Sequence, residues 1–365
     1  MSHSIDLIWV VHPVEEQPHS DPATLIGSTI ASQRLRVALP SIAINHAGLT
    51  QRTAVLRSEK DLAEILALGP RLVIFSKLLA SSALDTHLDR HVQLARALAC
   101  AQIPILVDIC DNPFMGITSP YVQRLVTLAT HVTVNSPAMA DIVATRLNPK
   151  ISVIPDPVEG IQHTPYFKPP RPSYIRRIFQ LPQPPPLMIL WFGGPLRSFE
   201  SLRLSLSILR DLATRQPVDL HLVSAPFSEI QTEIERINSY RPSGLSARFT
   251  AWSPLALANA LAATDLVFLP GEADNPEKIG VSTNRLTESI WAGRVVVASG
   301  MPSYWQFKEG AFIGDDLAQS IAQTLNDPFH ALSKITIGQH IVAAHYTPNA
   351  VGRLWVTLCT ELTKC

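Results

Sequence analysis

Between Leu266 and Tyr304 the chain carries its densest run of residues able to hold a phosphate: Lys278, then Ser282-Thr283-Asn284, then Glu288. A strand is expected to end at Pro270, and a polar loop to lead into a helix starting near Ser282–Asn284. The free N–H groups and positive dipole end of such a helix bind anions. Lys278 adds a point charge suited to a diphosphate. Glu288 follows Asn284 by one helical turn on the same face, where a carboxylate can accept hydrogen bonds from ribose hydroxyls. Taken singly, these residues also read as a cap, a solvated carboxylate and, at Gly293, a helix stop. The functional reading rests on their combination.

A second loop, Gly193-Gly194-Pro195-Leu196-Arg197, follows the apolar run Leu187–Phe192. Glycines between a strand and a helix let the backbone approach a ligand, and Arg197 can pair with phosphate. Trp252 follows a third strand and can pack against a base or fill a core. In the first half the candidates are Ser32, Arg34 and Arg36, Lys77 after the strand Leu72–Phe75, and Asp108 with Asp111 after Ile103–Val107. A carboxylate at a strand's carboxyl end can orient or deprotonate a hydroxyl. Equally, these aspartates can cap a turn, and the arginines can be solvated helix residues.

Positioning such residues takes elements, and the sequence supplies them in alternation. Short β-branched runs (Ile5–Val11, Thr53–Leu56, Leu72–Phe75, Ile103–Val107, His131–Val134, Ile151–Ile154) are separated by amphipathic stretches such as Leu88–Ala101 and Tyr121–Ala129. After prolines from Pro155 to Pro186 the pattern restarts at Leu187–Phe192, Asp219–Val223, Ala247–Ala251, Leu266–Leu269, Val295–Ala298 and Ala311–Ile313. Runs of this kind are strands buried on both faces of a parallel sheet. The expected architecture is α/β: two doubly wound Rossmann-like domains facing a central cleft, with ligands at the carboxyl ends of the strands. The boundaries read as 1–157, a proline-rich neck at 158–186, a second domain at 187–330, and a helical tail at 331–365 that packs back on the first.

Apolar residues make up 46% of the 365 and charged residues 16%, enough to core two domains. The formal charge of zero gives no global field for nucleic acid. Four cysteines without metal-like spacing fit a reducing cytoplasm. No leader and no apolar run of about 20 residues is found, so a cytoplasmic protein is expected, with room for peripheral membrane contact.

The region from Leu266 to Tyr304 resembles the donor-nucleotide region of GT-B glycosyltransferases, the family-4-type enzymes in particular. There a strand ending in Pro leads through a polar loop into a helix carrying Glu-Ala-x-x-x-Gly, followed by a Val-rich strand. Here that helix reads Glu288-Ser-Ile-Trp-Ala-Gly293. The loop Lys278-x-x-x-Ser282-x-Asn284-Arg285 is similar to a bacterial subgroup in which Ser, Asn and Lys surround the phosphates. The resemblance is strongest over residues 187–307.

It implies transfer of a sugar from a UDP- or GDP-linked donor to an acceptor that is a glycan, a lipid-linked sugar or a small molecule. It also implies retention of configuration and neither metal nor cofactor. Gly193, Gly194, Arg197, Trp252, Lys278, Ser282, Thr283, Asn284 and Glu288 would hold the donor. Ser32, Arg34, Arg36 and Lys77 would hold the acceptor, and Lys278 with Asp108 or Asp111 would act in catalysis. One departure stands out: the family's first glutamate, eight residues before the second, is Gly280 here. That keeps two alternatives in view, a nucleotide-sugar epimerase of the same fold and a non-catalytic partner subunit.

Overall fold

The structure is a computed structural model, described for residues 5–11, 21–76, 86–147, 149–168, 185–194, 197–239 and 244–364, with backbone only at 86, 87 and 197. The chain divides into two compact units. Unit 1 comprises the chain up to Glu159, the segment Asp274–Thr283 and the residues from His345 on; unit 2 comprises Gly160–Ala273 and Asn284–Ala344.

Unit 1 is built on a six-stranded, all-parallel sheet. Its strands are β1 (Leu7–Val10), β2 (Gln51–Ala54), β3 (Leu72–Ser76), β4 (Ile105–Ile109), β5 (His131–Val134) and β6 (Ile151–Val153), in the order β2-β1-β3-β4-β5-β6. Between β1 and β2 run α1 (Ala31–Gln33), a π-turn (Arg34–Ala38) and α2 (Leu39–His46). Helices α3 (Glu59–Ala67), α4 (Thr86–Cys100), α5 (Ser119–Leu128) and α6 (Pro137–Leu147) make the remaining crossovers.

The two-residue period of a strand divides β1 between two cores. Leu7 and Trp9 join Ile44, Val351, Trp355 and Leu358 on one face, while Ile8 and Val10 join Val92, Leu98, Leu125 and Val143 on the other.

Unit 2 repeats the plan with β7 (Leu187–Phe192), α7 (Arg197–Ala213), β8 (Val218–Ser224), α8 (Ser228–Ser239), β9 (Leu245–Ala251), α9 (Pro254–Ala262), β10 (Leu266–Leu269), α10 (Asn284–Trp291), β11 (Val295–Ala298), β12 (Phe312–Ile313), α11 (Leu317–Asn326) and α12 (Pro328–His345). The order β12-β11-β10-β7-β8-β9 is again all parallel. Leu187, Ile189 and Trp191 of β7 share a core with Leu202, Leu206, Ile230, Ile335 and Phe167.

The last helix, α13 (Pro348–Leu362), belongs to unit 1, where it lies against α2. A Cβ at Gly352 would sit 2.6 Å from the Cβ of Ala43, so the helices meet at a pair of small residues. Gly352→Ala should therefore destabilise unit 1 by about 1–3 kcal/mol through overpacking, measured by denaturant unfolding. An unchanged midpoint would mean that α13 can shift away at no cost.

Candidate functional site

In unit 2 the strand order reverses direction beside β7. The chain moves from β7 to β8 and β9 on one side, then crosses to β10 and β11 on the other. In an open parallel sheet the crevice outside the carboxyl ends of such neighbours is where ligands bind. Here it lies between the loops after Phe192 and after Leu269. Both strands are apolar throughout, so the polar groups of the region come from the loops and from α10.

Gly193 is the tight point. A Cβ there would lie 3.0 Å from Nη1 of Arg285 and 3.3 Å from the Cβ of Ser198, and its carbonyl is pinned by the Ser224 hydroxyl at 2.8 Å. Gly194 is exposed and has open space around a Cβ. Arg197 opens α7. Trp252 is half-buried just past β9, its N–H donating to the Ser224 carbonyl at 2.8 Å.

Arg285, the second residue of α10, sends Nη1 toward the Phe192 carbonyl at 3.4 Å, a long contact for a guanidinium. No carboxylate pairs with it among the described residues, so a half-buried cation stands at the switch point beside Gly193. The Asn-Arg at the end of the loop pattern was the sequence signal for it.

Leu286 and Ile290 bury one face of α10. Glu288 is buried too, its Oε2 accepting from the N–H of Gly160 at 3.2 Å, in place of the solvated carboxylate one reading allowed. The helix ends in a Schellman motif, with Gly293 N–H donating to the Ile290 carbonyl and Arg294 N–H to that of Ser289, at 2.9 and 3.0 Å. Residues 160–167, read from sequence as the start of an irregular neck, run along this helix end. His163 and Tyr166 donate to the carbonyls of Trp291 and Gly293, and the Gln339 amide donates to those of His163, Ile290 and Trp291.

Unit 1 corrects two assignments. Arg36 and Asp108 were expected at an acceptor site, yet both side chains are fully buried and face each other. Arg36 donates from Nε to Asp108 Oδ2 at 3.2 Å and from Nη2 to Oδ1; Nη1 turns to the Ile154 carbonyl and to Asp156 at 3.3 Å. Asp108 also accepts from Thr133 at 2.8 Å and Ser76 at 3.3 Å. A carboxylate so occupied cannot reach a substrate hydroxyl.

Two buried carboxylates beside it hold the Arg36 guanidinium firmly charged against the opposing cost of burial. Burial pushes Asp156 above the usual carboxylate range, with Arg36 and Ser282 opposing the shift. Arg34 is also buried, spent on Glu159 at 2.6 and 3.0 Å and on the Ser28 carbonyl. The Ser32 hydroxyl is buried with no hydrogen-bond partner among the described residues, and Asp111 is exposed just past β4. Lys77 lies outside the described residues.

The remaining residues expected at the donor divide between the units. Asn284 and Glu288 open and line α10 in unit 2, while Lys278, Ser282 and Thr283 sit in the loop Asp274–Thr283, which packs in unit 1. Lys278 is half-buried in a turn closed by its N–H on the Asn275 carbonyl at 2.8 Å. Ser282 donates to Asp156, and Thr283 is buried. Gly280 is buried against Met139, whose Cβ would lie 3.3 Å from an added Cβ, so a side chain here would have to displace that methionine.

Among the described residues no group of His, Cys, Asp or Glu is arranged to hold a metal ion, and no helix is long and apolar enough to cross a membrane. No family model and no curated protein matches the sequence. Solved structures do. Sucrose-phosphate synthase from Thermosynechococcus elongatus superposes with a TM-score of 0.63 at 14% identity, over 98% of this chain and 99% of that one. HepE from Anabaena, in complex with UDP, gives 0.63 at 14% over 98% and 100%. The catalytic domain of starch synthase IV from Arabidopsis thaliana, bound to ADP and acarbose, gives 0.56 at 12% over 84% and 76%. Two parallel six-stranded sheets in one chain, superposing on the first two of these proteins over nearly its whole length, identify the fold as that of the GT-B glycosyltransferases.

Proposed function

We propose that the protein is a glycosyltransferase that takes a sugar from a nucleoside diphosphate held at the carboxyl edge of unit 2. The observation that carries this reading is Arg285, a half-buried cation with no carboxylate partner among the described residues, set at the switch point beside the close-packed Gly193. Two similar structures, one with UDP and one with ADP, support a nucleotide as ligand.

In the reaction an acceptor hydroxyl forms a bond to the anomeric carbon as the bond from that carbon to the diphosphate oxygen breaks. The nucleoside diphosphate leaves with the electron pair of the broken bond, and the hydroxyl proton passes to the departing diphosphate oxygen. Arg285 and the N-terminal amides of α10 meet the charge that develops on the leaving oxygen. Donors preorganised for such a charge are worth several kcal/mol. In this reading the transfer is metal-independent, with Arg285 as counter-charge to the diphosphate, and retention of configuration follows the resemblance of the Glu288 helix. Trp252 borders the base, and Glu288 is the ribose partner once it exchanges the Gly160 N–H for a hydroxyl. Asp111, exposed past β4, is the remaining acidic candidate on the acceptor side.

A thermal-shift series with UDP, GDP and ADP identifies the base. Arg285→Ala should then weaken the stabilising nucleotide by about 10–100-fold, the value of a charged hydrogen bond or two. The ligand-free melting temperature should stay near wild type, because Arg285 makes one long contact. Unchanged nucleotide affinity in this variant would remove the site assignment, and no stabilisation by any of the three would remove the function.

A further inference from the structure

Gly193 is held by the strand beside it. Its N–H donates to the Val223 carbonyl at 3.3 Å, and its carbonyl accepts from the Ser224 hydroxyl at 2.8 Å. Ser224 is the last residue of β8, fully buried on the face that Leu220 and Leu222 turn to the core. Its own carbonyl accepts from the Trp252 N–H at 2.8 Å, so one residue fastens both the loop after β7 and the loop after β9. Packing alone does not call for a hydroxyl here, because alanine fills nearly the same volume. What the hydroxyl adds is a fixed backbone at Gly193. Arg285 rests on that backbone: Nη1 lies 3.4 Å from the Phe192 carbonyl and 3.0 Å from where a Gly193 Cβ would stand.

We infer that Ser224 is a positioning residue for the donor diphosphate: through the Gly193 carbonyl it fixes the backbone against which the Arg285 guanidinium is aimed. This rests on the proposed function, and every residue it uses belongs to unit 2. The hydroxyl itself touches no ligand. Gly193 is only half-buried, so without Ser224 its carbonyl can turn to water. The fold then tolerates the loss while the loop, and Arg285 with it, gains freedom.

The test is a double-mutant cycle on the full chain, with UDP, GDP and ADP as probes beside UMP, GMP and AMP. A monophosphate lacks the phosphate assigned to Arg285, so it reports on base and ribose alone. Ser224→Ala should weaken the best-bound diphosphate about tenfold, the scale of one charged contact, and its monophosphate by less than about twofold. The ligand-free melting temperature should stay within about 4 °C of wild type. In the Arg285→Ala background the same change should cost nothing more, and the Gly193 amide should exchange faster in Ser224→Ala than in wild type. Wild-type diphosphate affinity in Ser224→Ala would overturn the inference. So would losses that multiply in the double variant, or that fall equally on monophosphate and diphosphate. Those results leave the nucleotide site standing. Unchanged affinity in Arg285→Ala, or a wild type that binds none of the three diphosphates, would instead remove the proposed site, and the inference with it.

Discussion

Arg36→Ala should destabilise unit 1 by about 3–5 kcal/mol, the cost of removing one partner from a buried ion pair. The arginine is fully buried, and its guanidinium is the shared counter-charge of Asp108 and Asp156. Its loss strands two carboxylates in a low-dielectric interior and also empties the space under Trp355.

The deficit should depend on pH, and its sign follows from Asp156. Burial already holds this carboxyl above its unfolded value, and Arg36 is the largest opposing influence. Without Arg36 the folded-state value rises further. Between the unfolded value, about 3.9, and the raised one, the folded variant binds more protons than the unfolded chain, so its stability falls as pH rises. The deficit should be largest at neutral pH and shrink as pH drops toward 4. Hydrogen exchange in β4 and β5 measures it on unit 1 alone. A deficit below about 1 kcal/mol, or one flat from pH 5 to 8, would mean that the cluster is solvated rather than buried.

That same cluster shows where sequence reading stopped. The strands were legible because parallel strands buried on both faces are apolar throughout, and β5, β7, β10 and β11 begin and end where the sequence pattern put them. β4 runs to Ile109 rather than Val107, and this two-residue difference decides the fate of Asp108. Read as past the strand, it faces a ligand. In register with Ser76 and Thr133, it faces the core. Nothing in the local pattern announces its partner, because Arg36 lies 72 residues away on a π-turn.

Gly280 was legible as a departure from a family pattern but not as a packing contact, since the Met139 that a side chain would have to displace lies on a helix distant in sequence. Arg285 was written in the loop motif and passed over. Residues 160–167 offered no signal. They form neither helix nor strand, and their hydrogen bonds go to a helix end formed more than a hundred residues later.

Gly293→Ala is the substitution in unit 2 with the largest expected effect. Two independent costs meet at this position. The backbone sits at φ 72°, in the left-handed region that costs a residue with a Cβ about 1–2 kcal/mol. The added methyl would also fall 2.4 Å from the Thr164 carbonyl oxygen and 2.9 Å from that of His163. These are backbone atoms held by Trp291, Gly293 and Gln339, so no rotamer change relieves the clash. With overpacking of about 1–3 kcal/mol the sum is about 2–5 kcal/mol.

The response also reaches the candidate site. To admit the methyl, either the Schellman turn opens or residues 163–166 lift from the helix end. In both cases the Gly160 N–H is drawn away from Glu288, and α10, which carries Arg285, loses its fixed stop. Nucleotide affinity should therefore fall although Arg285 and Glu288 are intact, and amide exchange at His163, Tyr166 and Arg294 should quicken together. Gly194→Ala is the control for stability: its Cβ meets open space, so the change should stay within about 0.5 kcal/mol. Equal stability of the two variants would show that the contact of the 163–164 backbone on Gly293 is not kept in solution, and α10 would then need another explanation for where it ends.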